Sequence, residues 1–157
     1  MNLIDKVFWA DEQDILPPEA IAGFLEELGL KRDEHFVIED GRIVWRSSGR
    51  GIALTLCAFR DKITGEPGRL IYIHCPAVRI PREDCLPFYR RVLELAPEIP
   101  MLSIGVNGNT VSVSCVRPVE GLAKKELLFL VRMIELTAGQ LREAIAPEFQ
   151  APLIEPD

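Results

Sequence analysis

The stretch GVNGNTVSVSC, residues 105–115, decides how the rest of the chain is interpreted. Its paired glycines suit either a phosphate-binding loop or a hairpin. A phosphate-binding loop needs four residues between the glycines and then Lys before Ser or Thr, whereas only two residues separate these glycines and no Lys follows. A dinucleotide loop leads into a helix, but TVSVSC alternates as a strand does. We therefore predict a hairpin that reverses at Asn107-Gly108 and places Val106 and Val111 on facing strands.

Hydrophobic periodicity divides the sequence outside this hairpin into helices and strands. Asp40-Gly41 suits a tight turn between strands, and prolines at 97 and 100 end a helix. The predicted helices span 18–30, 82–96 and 121–146, and the predicted strands span 41–47, 51–59, 69–78, 101–106 and 110–116, with an additional short strand at 35–40.

Antiparallel hairpins separated by isolated helices indicate an α+β domain of two layers. We expect an antiparallel sheet of about five strands with three helices, in the order α-β-β-β-α-β-β-α, and with the helices mainly on one face. Residues 1–17 are expected to form an N-terminal arm and residues 18–146 a single domain. Residues 147–157 are expected to form a tail, because its prolines should stop the last helix.

All three predicted helices have apolar residues at helical spacing, which in helix 18–30 are Ile21, Phe24, Leu25 and Leu28. In helix 121–146 these residues form a continuous arc that is expected to cover the sheet. The arc contains Leu127, Leu130, Val131, Ile134, Ala138, Leu141 and Ile145, and the apolar residues of helix 82–96 are Leu86, Tyr89, Val92, Leu93 and Ala96.

Composition limits the class of protein. The chain has 157 residues, of which 48% are hydrophobic and 27% charged, enough for one sizeable core. The net charge of -6 repels nucleic acid at long range, so no nucleic-acid partner is expected. The sequence has neither an apolar run of about 18–20 residues for a membrane helix nor the apolar stretch of a signal peptide. We therefore expect a cytoplasmic protein without a membrane partner.

Residues that support catalysis or metal binding are sparse. The cysteines, Cys57, Cys75, Cys85 and Cys115, include no CxxC pair and are expected to be reduced. His74 is followed by Cys75, but neighbours in a strand point to opposite faces and cannot act as a pair. Zinc would need close pairs of ligands, which are absent. We expect no cofactor, no metal and no enzymatic activity.

The long last helix has a wider apolar surface than one sheet contact requires. Leu128 lies within its polar side, and Phe129 and Leu136 lie at the margin of that side. These three residues are candidates for a partner or dimer surface, since a helix that is apolar on nearly all sides is usually buried from two directions. The alternatives are ordinary surface exposure and coverage by the N-terminal arm.

Arginines supply the candidate anion-binding residues. Arg42, Arg46 and Arg69 fall in the strand region and are candidates for one anion or acidic-peptide site across the sheet. Solvated surface charge is the alternative, and it is the default in an acidic chain.

In the order of its elements the chain resembles the YbjN-like family, whose members are described as sensory transduction regulators and share the fold of type III secretion chaperones. The resemblance implies a non-enzymatic α+β module, usually dimeric, that acts as a regulator or as a chaperone-like holder of partner segments. The arm and the prolines of the tail depart from the family pattern. The resemblance covers residues 18–146 and rests on FLEELGL (24–30), DGRIVWRSSG (40–49), IALTLCAF (52–59), LIYIHCPAVRIP (70–81) and LSIGVNGNTVSVSCVRPVEGL (102–122).

Two functional hypotheses follow from the sequence. The first is a dimeric cytoplasmic binding module that holds a segment of a partner protein against its sheet or last helix. The second is a small-molecule or thiol-responsive sensor that uses the less apolar sheet face. The residues expected on that face are Thr55, Cys57, Ser112 and Ser114.

Overall fold

The computed structural model describes residues 36–39, 42–46, 51–60, 64–152 and 154. The predicted arm 1–17 and the predicted helix 18–30 lie outside the described residues. The described elements are β1 (Phe36–Glu39), β2 (Arg42–Arg46), β3 (Ala53–Arg60), β4 (Pro67–Arg79), α1 (Cys85–Leu95), a 3-10 helix (Ala96–Glu98), β5 (Ser103–Asn107), β6 (Thr110–Pro118) and α2 (Lys124–Phe149).

The strands form one antiparallel sheet in the order β1-β2-β3-β4-β6-β5. The α+β class with an antiparallel sheet is therefore confirmed. Within the described residues the sheet has six strands, because the additional short strand at 35–40 is formed and pairs with β2. Its edges are β1 and β5, so β6 and β4 lie in the interior of the sheet.

The hairpin of β5 and β6 is formed as predicted, with its turn displaced by one residue. Val106 pairs with Val111, and Asn107 pairs with Thr110, which leaves Gly108 and Asn109 as the turn. Gly108 has a φ of 57°. Positive φ at the first turn position and not at the second is the pattern of a type II′ turn, in which glycine is strongly favoured at that first position.

The core lies between the sheet and the two described α-helices. Along β4, Ile71 and Ile73 are fully buried, and α2 lies against β4 and β6. The predicted apolar arc of the last helix is confirmed, with Val131 at its partly buried margin. The fully or nearly fully buried residues of that arc are Leu127, Leu130, Ile134, Ala138, Leu141 and Ile145.

The residues that α1 buries are only partly those that the sequence analysis found at helical spacing. Phe88 and Val92 are buried, whereas Leu86 and Leu93 are 82% and 70% exposed. Phe88 and Val92 are four residues apart and therefore lie on the same side of the helix. Leu86 and Leu93 share another side, which the helix turns toward solvent because Phe88 occupies the contact with the core.

The last helix does not stop at Ala146, so the predicted helix end is wrong. α2 includes Pro147 and continues to Phe149, and Gln150 closes it with a φ of 50°. Proline in the last turn removes a single hydrogen bond, to the carbonyl four residues earlier. The ring of Phe149 offsets this loss by packing edge-on against Phe88, with 5.5 Å between the ring centroids.

An arginine of α2 compensates for an irregularity in β4. The register between β4 and β6 shifts between Pro76 and Val78, which places Ala77 in a bulge. The Arg142 side chain donates hydrogen bonds from Nε to the Ala77 carbonyl at 3.1 Å and from Nη2 to the Pro76 carbonyl at 3.3 Å. Carbonyls near a bulge lose regular ladder partners, so these bonds fix the end of β4 against α2.

Replacing Phe88 with Ala should test the buried face of α1. We expect Phe88→Ala to lower the free energy of unfolding by about 3–5 kcal/mol, because it leaves a cavity beneath the helix. The matched control is Phe129→Ala on α2, where the side chain is half exposed and the expected loss is below about 1 kcal/mol. Urea denaturation followed by circular dichroism measures both. Similar losses in the two variants would contradict the assignment of faces.

Candidate functional site

The outward side of α2 carries an apolar surface, which we call the α2 stripe and define as Leu128, Phe129 and Leu136. Their side chains are 46%, 51% and 53% exposed. Phe129 and Leu136 are seven residues apart, about two helical turns, and therefore lie along one line of the helix. Since the opposite side of α2 is buried on the sheet, the stripe is available to a second molecule.

Positive charges surround the beginning of the α2 stripe. Lys124, Lys125 and Arg132 are exposed, and neither lysine forms an ion pair with another described residue. Two lysines in the first turn oppose the helix dipole, whose N-terminal end favours carboxylates. Glu126 is paired with Arg117 and offsets little of this charge. The beginning of α2 is therefore an exposed basic surface next to apolar side chains.

A second apolar surface lies on α1 and was missed in the sequence. We call it the α1 stripe and define it as Leu86 and Leu93. The helical spacing of these residues was visible in the sequence, but it did not show which side of α1 is buried. Leu86 and Leu93 are seven residues apart and therefore lie on one side of a helix, and the charged residues Arg90 and Glu94, which form an exposed ion pair, lie near that side. This combination could have identified the outward side of α1 from the sequence.

The candidate arginines are not brought to one face. Arg42 and Arg46 are the first and last residues of β2 and occupy register positions on the same face as Val44, which pairs with Thr55. Arg69 pairs with Ala58 in β3 and follows the alternation of Ile71, on the opposite face. An anion site made of all three residues stays a prediction, because the side chains of Arg42 and Arg46 lie outside the described residues.

Arg69 has an intramolecular partner. Its Nε donates a hydrogen bond of 3.0 Å to Oε1 of Glu120. Partial burial raises the pKa of the Glu120 carboxyl, but hydrogen bonds from the backbone and from the Arg69 side chain outweigh it, so the net pKa lies below its usual value. The pair joins the beginning of β4 to the loop before α2, where the Val119 amide also donates to the Arg69 carbonyl.

The histidine and cysteines of the sheet lie as alternation predicts. His74 stacks on Tyr72, with ring centroids 5.1 Å apart, on the face away from the helices, whereas Cys75 is buried in the core. Burial raises the pKa of the Cys75 thiol, and it raises that of Cys115 to about 11. Both thiols are therefore weak nucleophiles near neutral pH.

The remaining described cysteine is at the start of α1. Cys85 is partly buried, and its thiol donates to the Pro81 carbonyl at 3.2 Å. Cys57 lies in β3, but its side chain is outside the described residues. Among the residues that the structure describes, no group of three or more His, Cys, Asp or Glu could hold a metal ion. None of the described helices is long and apolar enough to cross a membrane.

Comparison of the fold with solved structures identifies similar proteins. YbjN from E. coli, a proposed transcription regulator, has a TM-score of 0.51 and 14% sequence identity over 89% of this chain and 98% of its own. A chain of the HopA1–SchA chaperone–effector complex has a TM-score of 0.50 and 16% identity over 87% and 100%. A chain of the ExsC–ExsE complex has a TM-score of 0.49 and 12% identity over 92% and 97%.

These similarities concern the fold, since the sequences are far apart. Neither a model of a known protein family nor a characterised sequence matches the chain. The arrangement of its strands and helices is nevertheless that of YbjN and of chaperones bound to effectors. The YbjN-like, type III secretion chaperone-like fold that the sequence resemblance implies is therefore confirmed.

Native-state alkylation should separate the described thiols. At pH 8 we expect iodoacetamide to modify Cys85 at least about tenfold faster than Cys75 and Cys115, whose burial disfavours the thiolate. Peptide mass spectrometry gives the rate at each position, and urea should make the three rates similar. Rapid native modification of Cys115 would contradict its raised pKa.

The Arg69–Glu120 pair should stabilise the fold in a pH-dependent way. Because the folded pKa of Glu120 is lowered from 4.5, the stabilisation is complete above that pH and is lost as the pH falls through the folded pKa. We expect Glu120→Gln to lower the free energy of unfolding at pH 7 by less than about 1 kcal/mol, since the pair is solvent-exposed. The difference from wild type should shrink in acid. Urea denaturation at pH 7 and pH 3 measures it, and Glu98→Gln, at an exposed carboxylate, is the control. A difference that grows in acid would contradict the sign.

Proposed function

We propose that this chain is a non-enzymatic cytoplasmic binding module that forms a homodimer and holds a segment of a partner protein. The observation that carries the proposal is the α2 stripe, in which Leu128, Phe129 and Leu136 remain about half exposed on the longest of the described helices. Exposed apolar side chains grouped on one helix side, with charges around them, are typical of a surface for another protein. The chaperone–effector complex with a similar fold supports the same class of activity.

The charges beside the α2 stripe indicate the chemistry of the partner. Lys124, Lys125 and Arg132 would repel a basic segment and attract an acidic one. Phe129 and Leu136 would contact apolar residues about two helical turns apart. The best partner is therefore an amphipathic segment with apolar residues on one side and Asp or Glu at the border of that side.

The α1 stripe is suited to contact with a second copy of the chain. In an antiparallel packing of two α1 helices about a two-fold axis, Leu86 of one copy would meet Leu93 of the other, and the reverse contact would follow by symmetry. Two leucines with 82% and 70% exposure gain hydrophobic stabilisation by such burial. The proposal thus assigns self-association to α1 and partner binding to α2.

The sensor hypothesis has less support. Thr55 and Ser112, two of the polar residues expected to line a ligand site, are buried. Burial also raises the pKa of Cys75 and Cys115, which opposes a thiol response at these two positions. Ser114 is partly exposed but lies beside an aromatic stack rather than in a cavity that the structure describes.

Charge introduced into the α2 stripe should abolish partner binding without unfolding the protein. We expect Phe129→Asp with Leu136→Asp to weaken binding of a labelled amphipathic acidic peptide by about tenfold or more, because each aspartate both removes apolar contact and repels the peptide. Asn109→Asp, exposed in the turn between β5 and β6, is the control and should retain most of the binding. Fluorescence anisotropy measures the affinity, and equal binding by all three proteins would refute the assignment to α2.

The dimer surface should respond to a different pair of substitutions. Leu86→Asp with Leu93→Asp is expected to convert a dimer into a monomer, because four aspartates would meet across the two-fold axis. Size-exclusion chromatography with light scattering measures the mass. Phe129→Asp with Leu136→Asp should leave the dimer intact. A wild-type protein that is monomeric at high micromolar concentration would refute self-association, and loss of the dimer with only the α2 pair would transfer it to α2.

A further inference from the structure

The edge strand β5 lies in a part of the chain that carries no charge. Residues 99–116, which include β5 and most of β6, have no Asp, Glu, Lys or Arg, although 27% of the chain is charged. The other edge strand, β1, includes Glu39, and its neighbour β2 begins and ends with arginine. Natural sheets protect an open edge with charged residues, proline or a bulge. β5 has none of these, and its register with β6 is regular.

The backbone of β5 is paired on one side only. Of the described strands, β6 alone pairs with it. In a hairpin with a two-residue turn, the residues that close the turn form a hydrogen-bonded pair, and here they are Asn107 and Thr110. Alternation then directs the backbone N–H and C=O of Gly105 toward β6. Those of its neighbours Ile104 and Val106 point away from β6, so each of these two residues leaves one donor and one acceptor at the open edge.

The side chains of β5 separate into an apolar and a polar set. Ile104 and Val106 pair with core residues of β6 and therefore lie on the core side of the sheet. Val106 is nevertheless 51% exposed, because α2 lies against β4 and β6 and leaves the edge strand open. The sheet face opposite the two described α-helices, which we call the outer face, carries the small and polar residues of β5. These residues are exposed, and they are Ser103, Gly105 and Asn107.

We infer that β5 pairs in antiparallel orientation with β5 of a second copy of the chain, with Gly105 on the two-fold axis. This contact belongs to the proposed homodimer, on which the inference rests, and adds a second surface to it. Ile104 of one copy then lies opposite Val106 of the other, and the reverse contact follows by symmetry. The pairing joins the two six-stranded sheets of the described residues into one.

Backbone hydrogen bonding favours this register. The outward N–H and C=O of Ile104 meet those of Val106 in the second copy, so the two residues form a hydrogen-bonded pair. Symmetry repeats the pair on the other side of the axis, and every open group of these two residues then has a partner. A shift by one residue would place outward groups opposite inward ones. A shift by two would place one of the two residues opposite a residue outside β5.

The side chains agree with the same register. On the core side, Ile104 and Val106 form two adjacent apolar pairs, and burial of the half-exposed Val106 stabilises the contact. On the outer face, Ser103 lies opposite Asn107, and both side chains can hydrogen-bond. At the axis, two copies of Gly105 meet at a non-hydrogen-bonded position, where Cα atoms approach to about 4.5 Å. A Cβ at Gly105 would meet nothing within 4 Å in the single chain, so this space is free for the second copy.

The α1 stripe by itself is small for a dimer interface. Stable interfaces use about 20–30 residues from each side, whereas the stripe consists of Leu86 and Leu93. α1 continues to β5 through the 3-10 helix Ala96–Glu98 and residues 99–102, in which Met101 is 70% exposed. Exposed apolar side chains therefore recur from α1 to the open edge. The net charge of -6 opposes association of two copies, but contact through an uncharged strand brings no like charges directly together.

A disulfide at the axis tests the register in the full-length chain. Gly105 lies in a strand, without a positive φ and with open space at its Cβ position, so Gly105→Cys should fold. On the two-fold axis, the Cα atoms of the two cysteines lie within the range of about 4.4–6.8 Å that a disulfide spans. We expect mild oxidation with copper phenanthroline to convert most of this variant to a covalent dimer on non-reducing electrophoresis. Peptide mass spectrometry should identify the link between the two copies of position 105.

Ser103→Cys is the matched control, on the same face of the same strand. In the proposed register the two copies of position 103 are four residues apart along the strands, about 13 Å. The yield of covalent dimer should therefore be at least about tenfold lower than for Gly105→Cys. Ser103→Cys with Asn107→Cys should restore the cross-link, between positions 103 and 107. Equal yields from the two single variants, or a higher yield at 103, would overturn the inference.

Matched valine substitutions separate the β5 contact from the α1 contact. Val106 and Val116 are 51% and 46% exposed, but only Val106 lies on the edge strand. We expect Val106→Lys to raise the Kd of the dimer by about tenfold or more, because lysine on an edge opposes strand pairing, and Val116→Lys to leave it unchanged. Light scattering over a dilution series measures both.

The same measurement distinguishes failure of the β5 contact from failure of the proposed homodimer. Dissociation by Val106→Lys and not by Val116→Lys supports the β5 contact. A dimer that survives Val106→Lys but dissociates with Leu86→Asp and Leu93→Asp overturns the β5 contact and retains the dimer through α1. A wild-type protein that is monomeric at high micromolar concentration overturns both.

Discussion

The packing of α2 against β4 and β6 is the contact on which the other features of the structure depend. It buries one side of the helix completely and thereby fixes which residues point outward. Phe129 and Leu136 are exposed because Leu130 and Ile134 occupy the sheet. The same contact defines the two faces of the sheet, since strand alternation then assigns every residue of β4 either to the core or to the outer face.

The exposed surfaces depart from what stability alone would favour. Lysines in the first turn of α2 oppose the helix dipole, and leucines of α1 face water with most of their area. Residues that are unfavourable at their position, and whose cost no other contact in the fold offsets, tend to lie where a protein binds another molecule. The two helices therefore carry the proposed binding and dimer surfaces.

Much of the fold could be predicted because its signals are local. The hairpin that contains Val106 and Val111 follows from a glycine turn between alternating residues, although its exact turn did not, and the buried arc of α2 follows from a helical period. The end of α2 could not be predicted in this way. Pro147 weakens the helix locally, but the contact of Phe149 with Phe88, which is distant in sequence, offsets that loss. The exposed stripe of α2 was visible in the sequence, whereas that of α1 was not.

The sequence by itself determined the periodicity of each segment, and with it the α+β class, the decisive hairpin and the apolar residues of α2. Only the tertiary structure decided which side of α1 is buried, that Arg69 pairs with Glu120, and how deeply Ala53 and Thr55 are buried. The physical reason is that periodicity depends on neighbours along the chain, whereas burial depends on what packs above a residue from elements far away in sequence.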